Sequence, residues 1–261
     1  MKALIPAAGH GTRFAPWTKL IPKEMLPVGA RPAIALIVDE AIEAGADEVV
    51  IITSPEKPLL KKWFELNPPK APVVWIDQIE QHGLGHAVLQ AAEHFESESE
   101  PVLILLGDAL VSGGNASSAM MAISKANGGA SVIGCEEVPR ERVSRYGIMK
   151  SSSEISEAFF KLADIVEKPS IVEAPSNLAV AGRYLLDPAV FRFLKDQTAG
   201  VGGEIQLTDA IRRMLSEKTV FGYIYPGPRH DIGNPNGYLK ALEAMNENCY
   251  YEQLSEGRIF R

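Results

Sequence analysis

The hydrophobic and polar positions of the first 130 residues alternate between two periods. Residues 2–7 form a short apolar run typical of a buried strand, and residues 31–45 then carry apolar positions at helical spacing until Gly45 ends the pattern. The β-branched run "EVVIIT" follows at 48–53. These segments predict a βαβ unit. The alternation continues with a helix at 57–65, a strand at 72–76, a helix at 84–94 and a strand at 101–107.

Strands that alternate with helices indicate an α/β fold. We predict a Rossmann-like mixed, mostly parallel sheet that is flanked by helices. In such sheets ligands bind beyond the carboxyl ends of the strands. Residues 6–8 and 107–108 fall at two such ends.

The pattern is less regular after residue 130. We expect strands or hairpin arms at 130–138, 146–150, 159–169 and 176–186, helices at 188–195, 204–216 and 235–246, and a strand at 220–225. An acidic surface turn is predicted at 96–100. The chain is expected to form a single domain over 1–261, with halves at 1–130 and 131–247 and a C-terminal tail at 248–261.

Composition excludes several classes of protein. At 261 residues and 46% hydrophobic content the chain can bury a full core. The net charge of -7 disfavours a nucleic-acid partner, and no apolar run reaches the roughly 18 residues of a membrane span. Cys135 and Cys249 lie far apart without metal-ligand spacing, and no signal-like segment opens the chain. We therefore expect a cytoplasmic, reduced protein.

The first 31 residues depart from this acidic balance. A single acid, Glu24, stands against five basic residues, and this local positive field suits a small anion. A solvated basic surface is the alternative. The basic residues are Lys2, Arg13, Lys19, Lys23 and Arg31.

Most of these cations lie in the loop "PAAGHGTRFAPWTKLIPKEMLP" at 6–27. Gly9 and Gly11 match two glycines of a dinucleotide-binding fingerprint, but Phe14 occupies the third position, and no Gly-Lys-Ser/Thr ends the loop. A dinucleotide-dependent dehydrogenase and a P-loop protein are therefore disfavoured. Backbone N–H groups together with Arg13 and Lys23 would suit a triphosphate. The alternative, an ordinary surface loop, is weakened by the loop's length.

The same loop resembles the signature loop of the sugar-1-phosphate nucleotidyltransferases, and "PKEMLP" is similar to the uridylyltransferase branch of that family. Five further blocks follow in the family's order, so that the resemblance covers about nine tenths of the chain. These blocks are "GLGHAV" at 83–88, "EKP" at 167–169, "APSNLAVAGRYLL" at 174–186, "GGEIQLTDAI" at 202–211 and "GYLKAL" at 237–242.

The resemblance implies a nucleotidyltransferase fold similar to glycosyltransferase A, with the nucleotide bound by residues 1–130 and the sugar phosphate by residues 131–247. It implies Mg²⁺-dependent transfer of UMP from UTP to glucose 1-phosphate, which yields UDP-glucose and pyrophosphate. Two alternatives stay open. One is a thymidylyltransferase that uses dTTP, and the other is a sugar-nucleotide sensor without turnover.

Asp108 and Asp231 are candidate metal ligands because both lie at strand ends. Magnesium commonly uses one or two protein carboxylates plus phosphate oxygens, so this sparse pair is adequate. Without the resemblance, each aspartate could equally be a helix cap or a turn residue. The resemblance assigns both to Mg²⁺, although Ala109 stands where the family often has a second aspartate. It also implies catalytic roles for Arg13, Lys23, Asp108 and Lys168.

The nucleotide-binding residues implied by the resemblance are Ala7, Ala8, Gly9, Gly11, Thr12, Glu24, Gln78 and Gly83. Gln78 and Gly83 would lie at the uracil, since an amide pairs with both a donor and an acceptor on a pyrimidine edge. Glu24 would orient the nucleotide or the loop's own cations. No histidine receives a catalytic role, because the five do not form a metal set by spacing.

The sugar-binding residues implied by the resemblance are Gly147, Glu167, Lys168, Asn177, Val180 and Glu204. Lys168 would contact the sugar-linked phosphate, whereas Glu167 and Glu204 would accept hydrogen bonds from hydroxyl groups. A solvated strand end is the alternative for Glu167 and Lys168. A helix cap is the alternative for Glu204.

Two further features concern the sensor alternative and the assembly. The sensor hypothesis stays open for two reasons. The connection between the helix at 57–65 and the next strand is short, and Arg31 and Asn234 stand at positions where the family commonly has lysine. We also expect a homo-oligomer, a dimer or a tetramer. Apolar residues in the tail, including Tyr250 and Ile259, would then pack on the body or on a second subunit.

Overall fold

The computed structural model describes residues 1–95, 99–152, 155 and 158–255, with side chains as far as residue 245. The predicted alternation is present in the first half of the chain. Its strands are β1 (Lys2–Pro6), β2 (Pro27–Val28), β3 (Arg31–Pro32), β4 (Glu48–Thr53), β5 (Val73–Asp77), β6 (Val102–Leu105) and β7 (Ala109–Val111). Its helices are α1 (Ala33–Glu43), α2 (Pro58–Leu66), α3 (Leu84–Leu89), α4 (Ala92–Phe95) and α5 (Ala116–Ala126).

The second half contributes longer strands and three helices. The strands are β8 (Ser131–Glu137), β9 (Gly147–Ser151), β10 (Phe159–Glu167), β11 (Leu178–Leu186), β12 (Val220–Ile224) and β13 (Arg229–Asp231). The helices are α6 (Ala189–Lys195), α7 (Leu207–Met214) and α8 (Pro235–Ser255).

Nine strands form one mixed sheet in the order β5-β4-β1-β6-β11-β8-β12-β10-β9. The four strands that the first half contributes to this sheet, β1, β4, β5 and β6, are parallel, with Pro6 opposite Ile52. β11 joins the two halves because it runs antiparallel to both β6 and β8. The carboxyl ends of β1 and β6 therefore meet at one edge, where the Gly107 amide donates to the Pro6 carbonyl over 3.1 Å. This edge is where the sequence predicts a ligand.

Helices cover both faces of the sheet. Successive side chains of a strand point to opposite faces, so Leu4 and Ile5 of β1 enter different cores. One core is formed with α3, α4, α6 and α7, and the other with α1, α2, α5 and α8. β11 is buried along its whole length. This double coverage holds the strand ends in fixed positions.

Several elements differ from the sequence pattern. The helix predicted at 84–94 is divided into α3 and α4 by a turn at 90–91, and α7 begins at Leu207 rather than Glu204. α5 was not predicted, because Ser117 and Ser124 on its buried face weaken the apolar spacing. α8 continues to Ser255.

The acidic turn and the tail extend beyond what the structure describes. Residues 96–98 and 256–261 lie outside the described residues, as does the predicted packing of the tail side chains. Within the described ranges, no helix has the length and hydropathy that a bilayer-spanning segment needs. Cys135 of β8 is buried with a free thiol.

Candidate active site

The loop after β1 is compact. Ala7 and Ala8 are buried, and three short 3-10 turns follow at Thr12–Phe14, Trp17–Lys19 and Lys23–Met25. Gly11 has φ 67°, a left-handed conformation that favours glycine, and the Thr18 hydroxyl donates to its carbonyl over 2.9 Å. The loop thus folds back on itself at the edge of the sheet.

A buried lysine lies beneath this loop. The Lys57 ammonium donates to the carbonyls of Ala7 (2.6 Å) and Gly9 (2.7 Å) and to both oxygens of Glu24 (3.1 and 3.0 Å). Lys57 is 7% exposed and Glu24 is 1% exposed. Burial raises the pKa of Glu24 and lowers the pKa of Lys57, while their mutual attraction acts against both shifts. Glu24 therefore pairs with a cation from outside the loop, while Lys23, one of the loop's own cations, lies 4.0 Å from its carboxylate.

These hydrogen bonds orient the peptide groups of the loop. In a trans peptide the N–H points opposite to the preceding carbonyl, so the amides of Ala8 and His10 point away from Lys57. Gln81 donates to the Ala8 carbonyl over 2.8 Å, so the Gly9 amide points away from Gln81. Among the described residues, no protein group accepts from these three amides. These three N–H donors are available to an anion, and we call them the cradle.

Two carboxylates and two cations meet beside the cradle, and we call Arg13, Lys23, Asp108 and Asp231 the charged cluster. The Lys23 ammonium is hydrogen-bonded to Asp108, and the Arg13 guanidinium lies 3.2 Å from Asp231. A Cβ on Gly233 would lie 2.9 Å from Arg13 Nη2, 2.9 Å from Asp231 Oδ1 and 3.1 Å from Asp108 Oδ2. The backbone of Gly233 therefore marks the point on which all three side chains converge.

Strand pairing brings the two aspartates together across 123 positions of sequence. β7 and β13 form an antiparallel ribbon with Asp231 opposite Ala109, and the Ile232 amide donates to the Asp108 carbonyl over 2.9 Å. Arg183 supports the ribbon from below, because its guanidinium donates to the Ala109 carbonyl over 2.8 Å and is paired with Glu40 at 2.7 Å. Arg183 is fully buried. The position of Asp108 thus depends on an ion pair inside the core.

Within the charged cluster, Lys23 and Asp108 favour each other's ionised forms. Burial by itself would raise the pKa of Asp108, but Lys23 and Arg13 outweigh it and lower that pKa. Burial likewise opposes the charge of Lys23, whereas Asp108 and Glu24 raise its pKa. Within the described residues, no group of three or more His, Cys, Asp or Glu side chains is arranged to hold a metal. Two convergent carboxylates fit a magnesium ion that completes its shell with water and phosphate oxygens.

A second group lies at the start of β9 and the end of β10, and we call Gly147, Glu167, Lys168 and Thr208 the β9–β10 cluster. Glu167 faces Gly147 in the strand register, and the Thr208 hydroxyl donates to Glu167 Oε2 over 2.6 Å. Lys168 has φ 45°, a left-handed conformation that is rare outside glycine and is typical of functional sites. Its ammonium lies 3.5 Å from Glu167.

The structure places the other predicted sugar residues near this cluster or at its border. Val180 is buried on β11, which pairs with β9 through Ala179 and Ile148. Asn177 is exposed just before β11. Glu204 is also exposed and precedes α7, whose N-cap is Gln206, so Glu204 does not cap that helix.

Gly83 connects the two halves of the site. A Cβ there would lie 2.7 Å from Glu204 Cβ, so only glycine allows the segment before α3 to approach the segment before α7. Gln78 is 3% exposed, and its amide nitrogen lies 2.8 Å from His86 Nδ1. The predicted uracil residues therefore border the predicted sugar residues.

Two of the positions that depart from the family pattern have structural roles. Arg31 pairs with Asp39 of α1. Asn234 is the N-cap of α8, because its side chain accepts from the Gly237 amide over 2.9 Å.

Sequence reasoning missed three residues. Lys57, Gln81 and Thr208 orient the loop or a predicted sugar ligand. Only Thr208 lies inside a block that the sequence singles out. The partners of Lys57 and Gln81 are groups distant in sequence, namely backbone carbonyls and, for Lys57, also the Glu24 carboxylate. No local motif marks such contacts.

Comparison with known proteins agrees with this geometry. The sequence profile of the nucleotidyl transferase family matches residues 2–248. UTP–glucose-1-phosphate uridylyltransferase 2 of Staphylococcus saprophyticus is 37% identical, with 98% of this chain and 96% of the relative covered. The UTP–glucose-1-phosphate uridylyltransferase of Staphylococcus epidermidis is 38% identical, with coverages of 92% and 90%.

Solved structures give the same result. A UDP-glucose pyrophosphorylase complexed with UDP-glucose superposes with a TM-score of 0.83 at 36% identity, with 97% of this chain and 98% of that chain covered. A UTP-bound UGPase from Acinetobacter baumannii superposes with a TM-score of 0.80 at 32% identity, with coverages of 99% and 98%. The predicted α/β nucleotidyltransferase fold is confirmed, and the chain belongs to the nucleotidyl transferase family.

Proposed function

We propose that this protein is a uridylyltransferase that makes UDP-glucose and pyrophosphate from UTP and glucose 1-phosphate. One observation carries the proposal: the charged cluster converges beside three oriented backbone amides that have no acceptor among the described residues. The uridylyltransferases of Staphylococcus and the UDP-glucose-bound pyrophosphorylase, each matched over most of its length, support this choice of substrates.

In the proposed reaction a phosphate oxygen of glucose 1-phosphate attacks the α-phosphorus of UTP. The new O–P bond forms as the bond to the β-phosphate oxygen breaks, and pyrophosphate leaves with that electron pair. The amides of Ala8, Gly9 and His10, together with the neighbouring Gly11 and Thr12, would hold the triphosphate. Arg13 and Lys23 would neutralise the charge that develops on the leaving group. The protein thus contributes alignment and electrostatic stabilisation rather than a covalent intermediate.

Asp108 and Asp231 would hold the magnesium ion, which supplies charge neutralisation on the phosphate oxygens when bound. Each carboxylate is paired with a cation in the structure. A triphosphate offers Lys23 and Arg13 alternative acceptors, so its binding would make both carboxylates available to the metal. The charged cluster would then exchange its internal ion pairs for contacts with substrate.

The β9–β10 cluster would bind glucose 1-phosphate. Lys168 would contact the phosphate, and Glu167, held by Thr208, would accept from sugar hydroxyls together with Glu204. The backbone at Gly147 and the residues Asn177 and Val180 would line the sugar. Gln78 and Gly83 would contact the uracil.

We also propose that the enzyme works in the cytoplasm as a homo-oligomer, a dimer or a tetramer. Light scattering of the purified protein tests the oligomeric state.

A matrix of pyrophosphate release tests the substrates. Purified protein with Mg²⁺ would be given UTP or dTTP together with glucose 1-phosphate or galactose 1-phosphate. We expect the fastest release from UTP and glucose 1-phosphate. Faster release from dTTP would favour a thymidylyltransferase. An absence of release in every combination, with UDP-glucose still bound, would favour the sensor.

A further inference from the structure

The amide of Gln78 is held by the ring of His86. The Gln78 side chain is 3% exposed, its nitrogen lies 2.8 Å from His86 Nδ1, and its backbone amide donates to Thr53 over 2.7 Å. Within the described residues, no protein group donates to the Gln78 amide oxygen. In the proposed function, on which this inference rests, Gln78 contacts the pyrimidine of the nucleotide.

A glutamine by itself does not select one pyrimidine. Its terminal amide turns about a broad torsion and presents either the oxygen or the NH₂ group at nearly the same position. The oxygen accepts from the N3–H of uracil or thymine, whereas the NH₂ group donates to the unprotonated N3 of cytosine. Selection between these bases therefore requires a second residue that fixes the amide.

His86 is placed to do this. A neutral imidazole has one acceptor nitrogen, and with the proton on Nε2 the acceptor is Nδ1, which binds the Gln78 NH₂ group. The other ring nitrogen lies 3.2 Å from the amide nitrogen of Gln90, an exposed side chain whose one further contact is a long one of 3.5 Å to the His86 carbonyl, so that its oxygen can turn toward Nε2–H. Gln78, by contrast, is buried. The ring therefore fixes the buried amide while the exposed one adapts.

The surroundings of His86 favour its neutral form. Burial lowers the pKa of His86, and the His82 ring, edge-on at 5.0 Å between centroids, lowers it further. Glu80 acts in the opposite direction through its carboxylate, which is hydrogen-bonded to His82 at 3.0 Å, and through its backbone, but burial and His82 outweigh it and the pKa of His86 stays lowered.

We propose that His86 is a positioning residue that determines base specificity: by accepting from the Gln78 NH₂ group, it keeps the amide oxygen directed at a pyrimidine N3–H. His86 thereby selects UTP and dTTP against CTP. It does not distinguish UTP from dTTP, since both carry the same N3–H donor.

Two substitutions of equal size test this role. His86→Asp supplies only acceptor oxygens, whereas His86→Asn can donate or accept and lets the Gln78 amide turn. The measured quantities are kcat/KM for UTP and for CTP with glucose 1-phosphate, and the Kd of each nucleotide. The UTP-to-CTP preference should fall about tenfold in His86→Asn, the effect of one misdirected hydrogen bond, and should persist in His86→Asp. His94→Ala, which removes a ring that is paired with Glu48 and not with Gln78, is the control and should keep the preference.

An equal preference for UTP in both His86 variants and the wild type would overturn the inference, and so would a wild type that binds CTP as tightly as UTP. If no variant turns over but His86→Asn alone loses its binding preference, the inference stands and the proposed reaction fails. The ¹⁵N chemical shifts of the His86 ring in the wild type give a second test that needs no variant. A proton on Nε2 agrees with the inference, and a proton on Nδ1 contradicts it.

Discussion

The charged cluster and the β9–β10 cluster use carboxylates in different ways. In the charged cluster each of two aspartates is paired with a cation, Asp108 with Lys23 and Asp231 with Arg13. In the β9–β10 cluster Glu167 is bound mainly by a neutral hydroxyl, at 2.6 Å, with Lys168 at 3.5 Å.

This difference corresponds to two kinds of ligand. When a polyphosphate and a metal bind, the cations of the charged cluster can pair with the phosphates and the aspartates with the metal, so no charge is left without an opposite charge. A carboxylate that is oriented by one hydroxyl keeps lone pairs for the hydroxyl groups of a sugar. The two halves of the site are therefore suited to different parts of one reaction.

The largest effect is expected where the core supports the charged cluster. Arg183→Met leaves the mostly buried Glu40 without its cationic partner, with only the Ser117 hydroxyl still donating to it, and removes the donor to the Ala109 carbonyl, which should lower the free energy of unfolding by about 3–5 kcal/mol. Chemical denaturation measures this loss. Arg192→Met breaks the exposed Arg192–Glu217 pair instead and should lower stability by about 1 kcal/mol at most. Equal losses in the two variants would argue against a supporting role for Arg183.

Removal of a charge from the charged cluster should affect turnover. Asp108→Asn keeps the shape of the side chain but removes a metal ligand and the partner of Lys23, and it should reduce the rate of UDP-glucose formation by about a hundredfold or more. The matched control is Asp39→Asn, which breaks the Arg31–Asp39 pair outside the cluster and should leave the rate unchanged. An Asp108→Asn enzyme as fast as the wild type would rule out the metal assignment.

The loop should depend on its buried lysine. Lys57→Met removes the donor to the Ala7 and Gly9 carbonyls, so the cradle amides lose their orientation and the Kd for UTP should rise about tenfold. Isothermal titration calorimetry measures the Kd for UTP. Lys61→Met, in the helix α2 that Lys57 precedes, breaks an exposed pair with Asp77 and should not change the Kd. Unaltered UTP binding in Lys57→Met would show that the loop is ordered without this contact.

The smallest effect is expected in the β9–β10 cluster. Thr208→Val removes the hydroxyl that orients Glu167, at a cost of about 1 kcal/mol, so the KM for glucose 1-phosphate should rise about fivefold with little change in the KM for UTP. Thr53→Val is the control, because the buried Thr53 hydroxyl has no partner among the described residues. If both variants behaved alike, the Thr208 hydroxyl would have no specific role.

The tripeptide Glu-Lys-Pro shows how far the sequence alone can be interpreted. It occurs at 56–58 and at 167–169. Lys57 is buried beneath a loop 48 and 50 residues away, whereas Lys168 is partly exposed at a strand end with a left-handed backbone. Identical local sequences thus have different environments, because the contacts that distinguish them come from the tertiary fold.

The parts that sequence predicts are those fixed by local periodicity. The strand ends that carry Ala7 and Asp108 follow from apolar runs, and the parallel sheet brings those ends together. The β7–β13 ribbon could not be predicted, since each strand has only three residues and its register depends on long-range pairing. The division of the helix at 84–94 likewise depends on packing rather than on spacing.

The most direct test of the account compares one variant from each cluster in initial-rate kinetics over a grid of UTP and glucose 1-phosphate concentrations. Lys23→Met should lose kcat and affinity for UTP while it keeps the wild-type KM for glucose 1-phosphate. Glu167→Gln should raise the KM for glucose 1-phosphate and leave the KM for UTP unchanged. Equal changes in both KM values for both variants would contradict the division of the site into a charged cluster for the triphosphate and a β9–β10 cluster for the sugar phosphate.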